Sequence, residues 1–260
     1  MDKLHFELKG SGTRKIILLH GFMGSTNDWD EAVKVLEDNY EILMIDLPGH
    51  GKSINLDRKS YSLPFCMEQI VKIVTINNFK NSTMFGYSMG GRIALSTILK
   101  YSDITTELIL ESSSPGLNSR KERMDKTISD LKLIKDIYKA MSFSEFEKFL
   151  NEWYSNPLFG KLKKHKSFGK LVELRVNNLA EELEKSLIGL GAGTQPSHWG
   201  DLSKINMPVT HIVGNKDKKY LEIAEQMAET IKDYSIIEID KVAHNAHFEK
   251  GKAFWEMDIF

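Results

Sequence analysis

The stretch that most limits the fold runs from Thr83 to Leu95, "TMFGYSMGGRIAL". An apolar run ends in Gly-Tyr-Ser-Met-Gly and passes directly into helical spacing, which predicts strand, sharp turn and helix. Glycines on either side of Ser88 keep neighbouring backbone clear in so tight a turn. The hydroxyl then projects from the C-terminal edge of a sheet. It sits at a helix N-terminus, where the dipole and free N–H groups favour developing negative charge. The bland alternative is a glycine-rich turn with a capping serine. The local motif implies an activated hydroxyl but does not say whether it attacks a carbonyl or takes a proton.

The surrounding pattern supports the same architecture. "KIILLHGF" (15–22), "YEILMIDLPGHGKS" (40–53), "STMFGYS" and "ELILESSSP" (107–115) read as four buried parallel strands. Helices are predicted between them over 26–38, 64–74 and 89–101. Thr26 or Asn27 is expected to cap the first, and Pro64 falls in the first turn of the second. Such alternation predicts an α/β fold with a mostly parallel sheet flanked by helices. From Leu117 to Trp199 strand signals stop, while "LKLIKDIYKAM", "FEKFLNEWY" and "LVELRVNNLAEELEKSL" keep helical spacing. That is too long for a loop, and predicts a helical cap inserted after the fourth predicted strand. The expected division is a core of 1–116 and 200–260 with a cap of 117–199. Strand signals return at "MPVTHIVGNKD" (207–217) and "YSIIEID" (234–240), with a helix over 220–231 between them.

Composition narrows the setting. The chain is 41% hydrophobic and 27% charged with net charge −1, which fits a soluble globular protein without a basic field for nucleic acid. A lone cysteine, Cys66, excludes an internal disulfide and a cysteine-built metal cluster, and fits a reducing compartment. "MDKLHFELKG" lacks the order of a signal peptide, and no apolar run approaches the roughly 18–20 residues of a membrane span. A cytoplasmic protein without membrane insertion is expected. Nothing in the pattern sets an oligomeric state.

A weakly acidic hydroxyl needs a base, and the base an orienting carboxylate. Asp217 and His244 each fall just past a strand end, where an open sheet gathers its site. His247 is the alternative base, whereas His211 lies within an apolar strand and reads as core. The His244–His247 spacing also suits a metal pair, but no third ligand accompanies it, so no metal is expected. "HGFMGS" (20–25) supplies a backbone N–H at Phe22 that can join that of Met89 in an oxyanion hole. "PGHGKS" (48–53) ends like a phosphate loop, but Asp46 stands where that pattern needs glycine, so a structural turn is expected. "KLKKHKSFGK" (161–170) reads as a solvated face, with anion steering as the alternative. Of 35 lysines and arginines only six are arginine, and four of those, Arg92, Arg120, Arg123 and Arg175, lie behind the elbow or in the insertion. Arginine's bidentate fork points to a small polyanionic substrate, such as a polycarboxylate, under the insertion; surface pairing with glutamates is the alternative, and the better one for any single arginine.

These residues resemble the α/β-hydrolase superfamily over nearly the whole chain. The stretches "ESSSPGLNSRKER", "FLNEWYSNPLF", "LRVNNLAEEL" and "GLGAGTQPSHW" are similar to one branch, the 2-succinyl-6-hydroxy-2,4-cyclohexadiene-1-carboxylate synthases of menaquinone biosynthesis. "HGFMGS", "DLPGHGKS" and "VGNKDKKY" match as well. The resemblance implies a lyase that removes pyruvate from an enolpyruvyl ether, using no metal, nucleotide or flavin. By position it implies a Ser88–Asp217–His244 triad, with Tyr87 and Arg92 beside the elbow. It places Arg123, Trp153 and Arg175 among the groups that bind substrate carboxylates, and leaves Arg120 on the surface. The branch often has glycine before the histidine, where this chain has Ala243. A positive φ there would cost on the order of 1 kcal/mol. The competing expectations are a serine acyl hydrolase with the same triad, and a non-catalytic ligand-binding relative.

Overall fold

The computed structural model describes residues 3–140 and 142–260. Met1 and Asp2 of the leading stretch, and Met141 at the end of "LKLIKDIYKAM", lie outside the described residues. Seven strands among the described residues form one sheet: β1 (Phe6–Lys9), β2 (Arg14–Leu19), β3 (Tyr40–Ile45), β4 (Thr83–Tyr87), β5 (Glu107–Glu111), β6 (Val209–Gly214) and β7 (Tyr234–Ile239). Their spatial order is β1-β3-β2-β4-β5-β6-β7. Every pairing is parallel except β1 with β3. Ile16–Leu19 are wholly buried, as continuous apolar runs in a parallel sheet must be when helices cover both faces.

Strand β1 is the element that the sequence pattern did not announce. It is four residues long, half-exposed, and held by antiparallel pairing of Phe6 with Ile45 through Lys9 with Ile42. An edge strand of this kind rests on main-chain bonds to its neighbour, which leave no periodic apolar signal.

Helices α1 (Asp30–Leu36), α2 (Leu63–Ile76) and α3 (Met89–Lys100) connect the first strands. The 26–38 stretch starts as a short 3-10 turn, and its cap is Ser25, whose Oγ accepts from Asn27 N, not Thr26 or Asn27. Thr26 instead donates its N–H to Asp46 Oδ1. Asp46 also accepts from Lys52 N and His5 Nδ1, so the 48–53 segment is a turn braced on one buried carboxylate. That is why aspartate stands where a phosphate loop would carry glycine.

Between β5 and β6 lie α4 (Arg120–Lys139), α5 (Phe143–Trp153), α6 (Phe168–Arg175) and α7 (Ala180–Leu190). Ser119 and Glu122 form a reciprocal cap at the start of α4, and Ser142 and Glu145 do so for α5. Their apolar faces gather Ile137, Phe149, Leu150, Phe159, Leu171 and Leu183 in a cluster that meets the sheet-borne part through Met23 and Phe22. The remaining helices are α8 (Lys218–Ala228), α9 (Ala246–Lys250) and α10 (Lys252–Trp255). The first of these starts two residues before the predicted 220–231 span and stops three residues short of its end. No helix among the described residues is long and apolar enough to cross a membrane.

Candidate active site

The end of β4 turns into α3 at Ser88, which has φ 50° and ψ −106°. That left-handed conformation is costly for a residue with a Cβ, and it persists because the surrounding backbone forces it. A Cβ at Gly86 would stand 2.6 Å from Gly91 Cα, and one at Gly90 2.2 Å from the Leu19 carbonyl. The elbow is therefore possible only with glycine at both positions. Ser88 N–H donates to the Glu111 carbonyl at 2.9 Å, and Ser113 Oγ donates to the Ser88 carbonyl at 3.0 Å.

Ser88 Oγ lies 3.0 Å from His244 Nε2, and His244 Nδ1 lies 2.6 Å from Asp217 Oδ2. With the carboxylate as acceptor, Nδ1 carries the proton and Nε2 is left to accept from the serine hydroxyl. Asp217 and His244 are both 3% exposed, so water does not compete for these bonds. Tyr220 packs its ring 4.7 Å from that of His244. Ala243 has no left-handed backbone, and its N–H donates to Glu249 Oε1 at 3.0 Å. The conditional strain at that position does not arise.

The remaining histidines separate by partner. His247 turns to Glu111, with 2.6 Å between Nδ1 and Oε2. His211 is buried between the Ser113 N–H and the Tyr234 hydroxyl, and burial pushes its pKa down to about 3. Two more act on the "HGFMGS" loop. His20 Nε2 accepts from Leu47 N and its Nδ1 donates to the Gly21 carbonyl; His50 Nε2 accepts from Met23 N. Burial lowers the pKa of both, in keeping with neutral rings that each donate once and accept once. The Gly21 carbonyl also accepts from Gly24 N. In a trans peptide the Phe22 N–H points opposite to that carbonyl, away from these partners. Neither Phe22 N nor Met89 N donates to a backbone carbonyl among the described residues.

Above the serine is a cavity of about 190 Å³, lined by Tyr87, Ser88, Arg92, Trp153, Arg175 and His244 among others, with Phe22 and Met89 at its wall. The Arg92 guanidinium enters it with Nε donating to Gln195 Oε1 at 2.9 Å, and Gln195 in turn donates to the Leu190 carbonyl. Burial lowers the pKa of Arg92. Arg175 is engaged differently: its two terminal nitrogens donate to Asp28 at 2.6 and 2.7 Å, and its Nε has no partner among the described residues. Burial opposes that charge, but Asp28 and Tyr154 more than offset it, so the guanidinium holds its proton more tightly than usual. Trp153 sets its ring edge-on to Phe22. Tyr87 is buried against His244 and His247, and burial followed by Glu111 raises its pKa.

Arg123 is not among the residues lining the cavity; its Nη1 donates to the carbonyl of Leu117, which is. Arg120 is exposed. In the basic 161–170 stretch Lys163 donates to Ser155 and Lys170 faces Asp30, both at the surface. Asp28, Gln195 and Tyr220 are site neighbours that sequence reasoning passed over. Asp28 lies 147 positions from Arg175, a distance no local pattern spans, whereas Gln195 and Tyr220 both stood within stretches that the resemblance had marked, "GLGAGTQPSHW" and "VGNKDKKY".

Residues 15–251 match the family model described as the alpha/beta hydrolase fold. A Bacillus subtilis protein provisionally named 2-succinyl-6-hydroxy-2,4-cyclohexadiene-1-carboxylate synthase is 30% identical over 94% of this chain and 88% of its own length. The synthase of that name from Yersinia pseudotuberculosis is 28% identical over 92% and 84%. Among solved structures, MenH from S. aureus superposes with a TM-score of 0.90 at 26% identity, covering 98% of this chain and 96% of that one. An esterase from Exiguobacterium antarcticum shares the fold at a TM-score of 0.80 and 23% identity, over 98% of this chain and 97% of that one.

Proposed function

Because the chain belongs to the alpha/beta hydrolase fold family, and within it to the 2-succinyl-6-hydroxy-2,4-cyclohexadiene-1-carboxylate synthases, we propose that it is a lyase of menaquinone biosynthesis. It eliminates pyruvate from 2-succinyl-5-enolpyruvyl-6-hydroxy-3-cyclohexene-1-carboxylate to give the cyclohexadiene product. The observation that carries this is the 3.0 Å Ser88–His244 contact opening into a cavity that also holds two guanidinium groups.

The reaction begins with loss of a proton from the carbon beside the succinyl ketone. His244 takes the Ser88 proton, and the serine oxygen takes the carbon proton. Electrons pass through the ring double bond and break the C–O bond to enolpyruvate, which takes up a proton and ketonises to pyruvate. Asp217 keeps the imidazole in the tautomer that accepts from serine and stabilises its cation. Negative charge develops on the ketone oxygen, where the N–H groups of Phe22 and Met89 receive it; one such donor is worth roughly 3–4 kcal/mol. Arg92 binds a carboxylate through nitrogens other than the one given to Gln195. Arg175, clasped by Asp28 through one N–H of each terminal nitrogen, adds its positive charge at the cavity wall. Trp153 and Tyr87 pack against the ring, and Arg123 acts through the Leu117 main chain at the cavity wall. The substrate has no good acyl leaving group, so serine attack would achieve little.

The test is stoichiometric pyruvate release from the enolpyruvyl substrate, with Ser88→Ala alongside. The variant should lose about 10³-fold or more in kcat; substantial retained turnover would sink the serine's role. Brisk p-nitrophenyl ester hydrolysis without pyruvate release would favour an acyl hydrolase instead.

A further inference from the structure

We propose that Glu111 is a positioning residue for the reaction, acting with His247 to hold the His244 loop against the serine elbow. The inference rests on the catalytic roles proposed above for Ser88 and His244.

Glu111 ends β5 and sits opposite Tyr87 in the parallel register with β4. Its main-chain carbonyl accepts the Ser88 N–H at 2.9 Å. Its side chain reaches the other partner: Oε1 accepts the His247 N–H at 3.0 Å, and Oε2 accepts from Nδ1 at 2.6 Å. One residue therefore grips the strained serine through its backbone and the histidine loop through its carboxylate. His247 stands in the first turn of α9, three residues after His244. The loop is also braced at its near end, where Glu249 accepts the Ala243 N–H, and within, where Asn245 Oδ1 accepts the Phe248 N–H. Between the two histidines lies the Tyr87 ring, 5.6 Å from His244 and 4.9 Å from His247.

Burial makes this brace matter. Glu111 is 0% and His247 5% exposed, so no solvent replaces a lost bond. An apolar side chain at 111 would fill the space, but it would leave two buried donors without an acceptor. A buried carboxylate is an expensive way to fill a core. Here it is the one group type that can accept from both the N–H and the ring of His247 while its backbone holds Ser88. The 3.0 Å contact between Ser88 and His244 joins segments that follow β4 and β7, which are not neighbours in the sheet. Glu111, on the strand beside β4, spans that gap.

The experiment compares Glu111→Gln, Glu111→Ala and His247→Phe with wild type and Ser88→Ala, at a temperature where melting curves show each folded. Pyruvate release yields kcat and KM, and a fluorophosphonate probe reports how fast Ser88 is labelled. Glutamine keeps the volume and an acceptor for the His247 N–H, so kcat should fall about 10-fold, against about 100-fold for alanine. KM should stay within about two-fold, and Ser88 labelling should slow in parallel with kcat, as expected when geometry rather than binding is lost. A general loss of stability would not move labelling at a temperature where the variant is folded. If alanine prevents folding, the isosteric glutamine and His247→Phe decide. Folded variants with kcat and labelling within two-fold of wild type would overturn the positioning role, as would a raised KM at unchanged kcat. Ser88→Ala separates the two levels. If it is dead beside wild-type-like Glu111 variants, this inference alone falls. If it still releases pyruvate, the catalytic reading falls and takes this one with it.

Discussion

Replacing Asp28 by alanine is the sharpest test of how the helices over the cavity are held. Asp28 lies in the turn before α1, Arg175 at the end of α6, and both side chains are 3% exposed. Two bonds of 2.6 and 2.7 Å make a bidentate pair with no access for water. Removing the carboxylate leaves a guanidinium that cannot shed its proton, so the full cost of an unpaired buried charge remains. Breaking such a pair costs about 3–5 kcal/mol. At about 2–4 °C per kcal/mol for a chain approaching this size, the melting temperature should drop by roughly 6–20 °C. Arg175→Met should cost less, because a stranded carboxylate can neutralise itself by taking up a proton. The double variant should recover part of the loss, since methionine fills the space without a charge. Urea unfolding of wild type, both single variants and the double variant closes the cycle. If Asp28→Ala costs under about 1 kcal/mol, or the two losses add within about 0.5 kcal/mol, the pair is not the clamp described here.

Two further predictions rest on separate observations. Gln195→Leu removes the acceptor that orients Arg92; losing a hydrogen bond to a charged group costs about 1.5–3 kcal/mol, so KM should rise about 10- to 100-fold with kcat little changed. An unchanged KM would remove Arg92's orientation from the binding account. His211 has a folded pKa of about 3 against about 6.5 when unfolded. The unfolded chain therefore binds the extra proton as pH falls below 6.5, and stability is fullest above that value and declines toward pH 3. By pH 5 this residue alone should account for about 2 kcal/mol. Urea unfolding at pH 7 and pH 5 should show a loss smaller by that amount in His211→Gln. Equal losses in the two proteins would contradict the neutral, buried ring.

The parallel strands and the elbow were legible in the chain because both come from local rules. Continuous apolar runs such as Ile16–Leu19 must be covered on both faces, and a serine forced to φ 50° needs glycine around it. Both leave a mark within a few residues. The order of Ser88, Asp217 and His244 was legible too, because each follows a strand end and the topology brings those ends to one edge. Strand β1 left no such mark, since its place depends on the backbone of β3. The other pairings of buried polar groups were equally silent. Arg92 and Arg175 look alike in sequence, yet one faces Gln195 and the cavity while the other is clasped by Asp28. His247 stands three residues after His244 and was the alternative base, yet it faces Glu111, a partner that nothing in the pattern named. A hydrophobic pattern says which side of an element is buried, because any apolar neighbour will serve. A buried charge or ring nitrogen needs one particular partner within about 3 Å, and for Arg92, Arg175 and His247 the folded chain brings that partner from more than a hundred residues away.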